Sequence, residues 1–221
     1  MSGFAHDVFE LYARQPWRVR AHVRIRWLTC PFEVVAADVP EAGRILDVGC
    51  GHGAFSAYLA LQNERRRVVG IDVAEDKILA ATAAAGAAAE KGRTNLCFTL
   101  ADAETVPEGP WDAIVVLDVL YLLQPERQEW LLQRCARALA PGGILVVKEV
   151  AARPRWKAAW NRMQENLSVR VLQITRGGKL WFLPPARHAS WLVAQGLEVR
   201  ERPIHEGFFH PHHLIVARRP R

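Results

Sequence analysis

The sequence is poor in the features that tie a chain to an oxidising compartment or a membrane span. Its four cysteines, at positions 30, 50, 97 and 135, are widely spaced and form no C-x-x-C pair. Neither a disulfide framework nor a zinc cluster is indicated, and a reducing cytoplasm is the expected home. No apolar run approaches the roughly 18 residues of a membrane span, and the N-terminus has no hydrophobic leader region. Acid is also scarce: 23 Asp and Glu face 29 Lys and Arg, leaving a formal charge of +6.

That excess of base is clustered. Arg14, Arg18, Arg20, Arg24 and Arg26 share one N-terminal stretch, while Arg153, Arg155, Lys157, Arg162, Arg170, Arg176, Lys179 and Arg187 share another. Such fields attract anionic partners. They read either as solvated helix faces or as surfaces for an anionic small molecule, an acidic carrier protein, a membrane surface or nucleic acid. Half of the 221 residues are apolar, which suffices for one large core and a single domain with an appended segment.

The centre of the sequence is Arg44-Ile45-Leu46-Asp47-Val48-Gly49-Cys50-Gly51-His52-Gly53-Ala54-Phe55. A short apolar run there ends in three alternating glycines and then becomes helical. Glycine tolerates positive φ and lets another molecule approach the backbone, so the stretch predicts a buried strand, a ligand-binding turn and a helix N-terminus. Gly49, Gly51 and Ala54 also satisfy the looser G-x-G-x-x-G/A dinucleotide fingerprint, so the turn alone leaves a nicotinamide or flavin cofactor open. A second apolar run, Val68 to Asp72, ends in an acid about twenty positions on, where a carboxylate can accept bonds from both ribose hydroxyls of an adenosine.

The pattern Asp47-x-Gly49-x-Gly51-x-Gly53 resembles the first motif of class I S-adenosylmethionine (SAM)-dependent methyltransferases. Further matches are Trp111-Asp112 before an apolar run, similar to that family's fourth strand, and a helix ending in Leu139-Ala140-Pro141-Gly142-Gly143 before the strand from Ile144. The resemblance covers residues 42–150 well and 186–219 more loosely. It implies an α/β fold: a three-layer, doubly wound, mostly parallel seven-stranded sheet with an antiparallel last strand and a helical lid after strand 5. Residues 1–40 would form N-terminal helices, 41–150 the SAM-binding core, 151–185 the lid, and 186–221 a final helix and hairpin.

The resemblance also implies roles. Gly49 and Gly51 would hold the methionine end of SAM, Asp72 the ribose, and Asp102 with Ala103 the adenine, with Asp47, Gly53 and Val73 as further cofactor-binding candidates. The tip after strand 4, Asp118-Val119-Leu120-Tyr121, would lie beside the transferred methyl. Asp118 is therefore a candidate for both cofactor contact and catalysis, with Tyr121 and Glu149 as further catalytic candidates. Each has a plainer role: Asp118 as a turn cap, Tyr121 as a packed ring, Glu149 as partner of a lid arginine.

Trp156, Trp160, Met163 and Leu167 recur at helical spacing, so they either pack on the core or line an acceptor pocket. His210, in the H-P-H-H run, is a candidate at the acceptor side, with solvated turn histidines as the default and no metal expected. The expected activity is methyl transfer from SAM to a small apolar or aromatic acceptor, anionic or carrier-bound. The rivals are a nicotinamide-type oxidoreductase and a SAM-fold subunit that binds without turnover. The Pro-Pro-Tyr-type motif of amino-methylating DNA enzymes is absent, so no nucleic acid is expected; peripheral membrane contact stays open.

Overall fold

The computed structural model describes residues 3–102, 105–150, 180–204 and 212–221. In chain order the helices are α1 (Gly3–Leu11), α2 (Trp17–Thr29), α3 (Phe32–Ala36), α4 (Ala54–Gln62), α5 (Glu75–Glu90), α6 (Pro125–Ala138) and α7 (Pro185–Ala194). The strands are β1 (Gly43–Val48), β2 (Arg66–Asp72), β3 (Leu96–Leu100), β4 (Trp111–Leu117), β5 (Leu139–Val150), β6 (Glu198–Ile204) and β7 (His212–Arg218). The lid expected over 151–185 lies almost wholly outside the described residues.

The seven strands lie in the order β3-β2-β1-β4-β5-β7-β6, and β7 runs antiparallel to both of its neighbours. This is the doubly wound sheet that the sequence led one to expect. Successive side chains of a strand point to opposite faces, and the two cores divide accordingly. Ile45, Val68, Val115 and Val146 pack with Val8, Val23, Phe32 and Leu59 of the N-terminal and α4 side. Leu46, Ile71, Ile114 and Leu145 pack with Leu131, Leu132 and Leu192 of α6 and α7. Strands covered on both faces need continuous apolar runs, which is why β1, β2, β4 and β5 were conspicuous in the sequence.

Helix α4 is buried from Ala54 to Ala60 because α1 and α2 cover the side that does not face the sheet. An aromatic cluster fastens that cover: Trp27 meets Phe32 at 5.5 Å and Tyr58 at 5.2 Å, both edge to face. Each such pair adds about 0.5–1.5 kcal/mol beyond its buried area. The N-terminal helices are thus part of the core, and they overhang the first glycine turn.

Two elements differ from expectation. Helix α3 was not anticipated, because five residues after Pro31 are too few to show a period. Strand β5 starts at Leu139 and passes through Pro141-Gly142-Gly143, where a helix end had been expected. Leu139 pairs with Trp111, and the register then shifts before Ile144 pairs with Ala113. The bulge absorbs Pro141, which has no N–H to donate, and gives Gly142 its φ of 77°.

Chain order reverses between β1 and β4, so their carboxyl ends diverge and leave a crevice. The turns after β1 and β4 form its walls. A separate cavity of about 460 Å³ opens at the opposite, amino-terminal edge, lined by Asp38, Glu41, Asp112, Arg218 and Arg221 among others. None of the candidate site residues lines it.

Candidate active site

The glycine turn is held from two sides. Gly49 and Cys50 donate their N–H groups to the Ile71 carbonyl at 2.8 and 3.0 Å, which locks the turn to the tip of β2. Asp72 completes the lock by accepting from the Gly51 N–H at 2.8 Å and the Ala74 N–H at 2.9 Å. Each Asp72 oxygen then retains capacity for a further bond. Asp47 was expected among the ligand contacts, but it lies beneath the turn, 2% exposed, and accepts from the Ser56 hydroxyl at 2.5 Å. Burial pushes its carboxyl up to about 7. Its place is structural support for the turn and the start of α4.

The glycines are not equivalent. A Cβ on Gly49 would lie 2.4 Å from a Val119 methyl, and one on Gly53 would lie 2.4 Å from the Phe98 ring. A Cβ on Gly51 would meet nothing within 4 Å. The open side of the turn is therefore at Gly51, between Asp72 and the β4 tip. Val73 is exposed beside it at the end of β2, and Asp102 is exposed at the end of β3, where its carbonyl accepts from Thr105.

At the β4 tip, Asp118 adopts a φ of 59° and carries two cations. Lys148 of β5 donates to its oxygens at 2.8 and 2.7 Å, and Arg26 of α2 donates to Oδ2 at 2.6 Å. Burial alone would raise the Asp118 carboxyl, but Lys148 and Arg26 outweigh it and hold the group well below the usual carboxylate range. Lys148 has no exposed surface, whereas the Arg26 side chain remains 29% exposed. Arg26 thus reaches the crevice from an N-terminal helix, and the sequence reading had not placed it there.

Glu149 sits behind the same tip. Its Oε1 accepts from the Val119 and Leu120 N–H groups at 3.1 and 3.0 Å, fixing the short 3-10 turn Leu120–Leu122 that carries Tyr121. Burial pushes its carboxyl up, with the neighbouring Asp118 charge adding to the effect, to about 8. The Tyr121 hydroxyl is also pushed up, by burial first and then by Asp118 and Glu149. Its ring stacks on Phe182 at 5.2 Å and 18°.

Phe182 is positioned by a network at the return of the chain. The Trp181 N–H donates to the Tyr121 carbonyl at 2.8 Å, and Gln128 Nε2 donates to the Leu123 and Trp181 carbonyls, both at 2.9 Å. Gln128 Oε1 can only accept, so His188 Nε2, 2.7 Å away, carries the proton. Burial lowers His188 to about 4, consistent with a neutral ring.

Two more residues escaped sequence reading. His52, inside the glycine turn, faces His22 of α2 with ring centroids 4.4 Å apart, and its carbonyl accepts from the Tyr12 hydroxyl at 2.6 Å. Burial lowers His22 to about 4 and lowers His52 as well. The only hint was position: α2 has Val19 and Val23 at core spacing, and His22 and Arg26 adjoin that stripe. Ala103, Trp156, Trp160, Met163 and His210 lie outside the described residues. Among the described residues, no group of His, Cys, Asp and Glu could hold a metal ion, and no helix is long and apolar enough to cross a membrane.

The fold has counterparts among known proteins. Residues 45–143 match the methyltransferase domain family. Those residues form a methyltransferase domain, similar to that of class I SAM-dependent methyltransferases. It is 36% identical over 116 residues to 2-heptyl-1-hydroxyquinolin-4(1H)-one methyltransferase of Mycobacteroides abscessus, covering 51% of this chain and 49% of that protein. It is 33% identical over 146 residues to trans-aconitate 2-methyltransferase of Streptomyces avermitilis, covering 58% and 53%. The chain thus spans about half the length of these curated relatives. Magnesium protoporphyrin IX methyltransferase from Synechocystis, solved with bound S-adenosylhomocysteine, superposes with a TM-score of 0.65 at 20% identity over 98% of this chain and 95% of its own. An O-methyltransferase family protein from Burkholderia thailandensis gives 0.69 at 20% identity over 96% and 62%. At those identities the likeness is one of fold.

The crevice of this domain fits the cofactor SAM. The turn is open above Gly51, and an acid stands at the tip of β2. His52 Nδ1 is buried without a hydrogen-bond partner among the described residues, so a polar atom at the turn awaits one.

Glu149 contributes to the pH dependence of stability in a defined direction. It binds its proton more tightly when folded than when unfolded, so stability is greatest below the ordinary value of 4.5 and falls as the pH rises toward about 8. Asp47 acts in the same direction up to about 7. Asp118 acts the other way, but only below the ordinary carboxylate range. The lowered histidines, His22, His52 and His188, also act the other way up to about 6.5, so Glu149 is read by difference: Glu149→Gln keeps an acceptor for Val119 and Leu120, and the wild-type urea midpoint should fall relative to that of the variant as the pH rises from 4.5 to 8. Parallel pH profiles of the wild type and Glu149→Gln across that window would refute the assignment.

Proposed function

We propose that this protein transfers a methyl group from SAM to an acidic oxygen, a carboxylate or an acidic hydroxyl, of a small acceptor. The observation that carries the reading is the charge at the β4 tip. Arg26 and Lys148 face one ionised carboxylate, Asp118, while Glu149 is pushed toward its neutral form. The cluster is left with a net positive charge that an acceptor oxyanion would neutralise. The relatives support it by name: trans-aconitate carries carboxylates, and 2-heptyl-1-hydroxyquinolin-4(1H)-one carries an acidic N-hydroxyl.

The backbone of Gly49 and Gly51 would take the methionine end of SAM. Asp72 would accept from the ribose hydroxyls with its remaining capacity, Val73 would lie against the adenine, and Asp102 would accept from its amino group. Bound there, SAM supplies an electrophilic methyl on a sulfonium. An acceptor that is already an anion needs no general base, so the protein's task is alignment and exclusion of water. Asp118, ionised and doubly paired, aims the Arg26 guanidinium and takes no proton. One of the five Arg26 N–H donors is engaged by Asp118, which leaves others for the acceptor oxygen. Tyr121, kept protonated and stacked on Phe182, walls the acceptor side, and Glu149 positions Tyr121 through the turn it holds.

Calorimetry with SAM, S-adenosylhomocysteine and NAD should give binding for the first two only. Octanoate, octanol and octylamine, offered as probes with labelled SAM, should be methylated in that order of preference. Losing a charged hydrogen bond costs about 1.5–3 kcal/mol, so Arg26→Gln should raise the KM of the acid about 10- to 100-fold while the Kd of SAM changes little. Methylation of the amine or alcohol with a KM indifferent to Arg26→Gln would overturn the acceptor reading. Binding of NAD without SAM would overturn the cofactor roles.

A further inference from the structure

Helix α2 has two apolar faces, and only one of them is covered. Val23 is buried in the core, and His22 and Arg26 reach the crevice on that inner side. Trp17, Ile25 and Leu28 are 71%, 59% and 69% exposed. At 100° per residue, Leu28 lies about 20° and Ile25 about 80° around the helix from Trp17, so the three form one stripe. Arg20 and Arg24 flank it on one side and Arg18 on the other. All three are exposed, and none has an ion-pair partner among the described residues. The helix, WRVRAHVRIRWLT, contains no acid at all.

We infer that this outer face of α2 is a docking surface for an anionic lipid bilayer, with Trp17, Ile25 and Leu28 entering the headgroup region and Arg18, Arg20 and Arg24 meeting lipid phosphates. The chemistry argues for lipid. An amphipathic helix lying in the interface carries Trp and Leu on one side and arginines at the margin, whose stems bury while the heads stay wet. Tryptophan suits that boundary, with an apolar ring and one N–H donor. The stripe is convex, about 17 Å long, and stands on a helix fixed to the core by Trp27 and Tyr58. A planar surface can reach all six residues together. The charge is complementary to an anionic leaflet, since the face has three arginines and the whole chain carries +6. This inference is independent of the acceptor's identity, because it concerns the face of α2 turned away from Arg26.

The test is co-sedimentation of the purified protein with vesicles of phosphatidylcholine alone or of phosphatidylcholine mixed with phosphatidylglycerol. At low salt the protein should partition onto the mixed vesicles at least about tenfold more strongly, and the preference should fade as the Debye length shrinks from about 30 to 8 Å. Each basic residue near an anionic surface is worth about fivefold. The triple variant Arg18→Gln/Arg20→Gln/Arg24→Gln should therefore lose about a hundredfold. Trp17→Ser/Leu28→Ser should also bind at least tenfold more weakly. All five positions are exposed, so thermal melts of both variants should match the wild type. Absence of the wild type from the mixed vesicles at low salt overturns the inference, as does undiminished binding by either variant. A dimer in sedimentation equilibrium that Trp17→Ser/Leu28→Ser dissociates, without vesicle binding, would assign the face to a second copy. Capture by poly-glutamate without vesicle binding would assign it to an acidic protein.

Discussion

Asp118→Ala is expected to cost about 3–5 kcal/mol of stability, the range for removing one partner of a buried ion pair. The carboxylate is the counterion of Lys148, which has no exposed surface and cannot turn to water when its partner goes. Part of the loss is offset locally. Glu149 is pushed up by burial first and by Asp118 second, so without that neighbour its carboxyl moves back toward the ordinary range and offsets part of the Lys148 charge. The effect should therefore fall toward the lower end of the range, a drop in Tm of roughly 10 °C for a domain of this size. Asp118→Asn is the control for backbone strain, because asparagine, like aspartate, tolerates the left-handed conformation found here. Asp118→Ala/Lys148→Met removes both charges and should recover much of the stability, while leaving Arg26 unaimed and the acidic acceptor poorly bound. Urea unfolding of the four proteins measures all of this. A loss below about 1 kcal/mol for Asp118→Ala would mean that the triad does not hold the β4 tip, and the aiming of Arg26 would need another cause.

The triad also marks where sequence reading stopped. Position was legible: Asp118 follows the apolar run of β4, and Asp72 follows that of β2, because strands buried on both faces announce themselves and their polar tips must lie at the carboxyl edge. The glycine turn was legible because few residues tolerate positive φ in succession. Partnership was not legible. Arg26 meets Asp118 across 92 residues, and nothing in the N-terminal run says which of five arginines turns inward. Lys148 did leave a signal, a lone cation in Val146-Val147-Lys148-Glu149-Val150, since a charge in a central strand needs a buried counterion. Read that way, it would have pointed to one of the nearby acids. The strand through Pro141-Gly142-Gly143 misled for the opposite reason. Its composition favours a helix end, and the pairing of Leu139 with Trp111 overrides it.

Gly51→Ala and Gly53→Ala, two residues apart, should fail in different ways. Both sites have positive φ, 57° and 78°, so each alanine carries a backbone cost of roughly 1–2 kcal/mol. At Gly53 the new methyl would lie 2.4 Å from the Phe98 ring and 3.0 Å from Ala81, and overpacking of this kind adds about 1–3 kcal/mol. At Gly51 the methyl meets no protein atom within 4 Å; it occupies the space through which a ligand would approach the backbone. Gly51→Ala should therefore fold with a modest loss and bind SAM at least about a hundredfold more weakly. Gly53→Ala should lose the larger share of stability. Linkage gives a direct readout: SAM at a hundred times the wild-type Kd should stabilise the wild type by about 2.7 kcal/mol and Gly51→Ala by less than about 0.5 kcal/mol. Gly53→Ala, with the open side of the turn unobstructed, should keep most of the ligand-induced gain. If Gly51→Ala is stabilised by SAM as fully as the wild type, the methionine end of the cofactor does not rest on this turn, and the assignment of Gly49 and Gly51 falls with it.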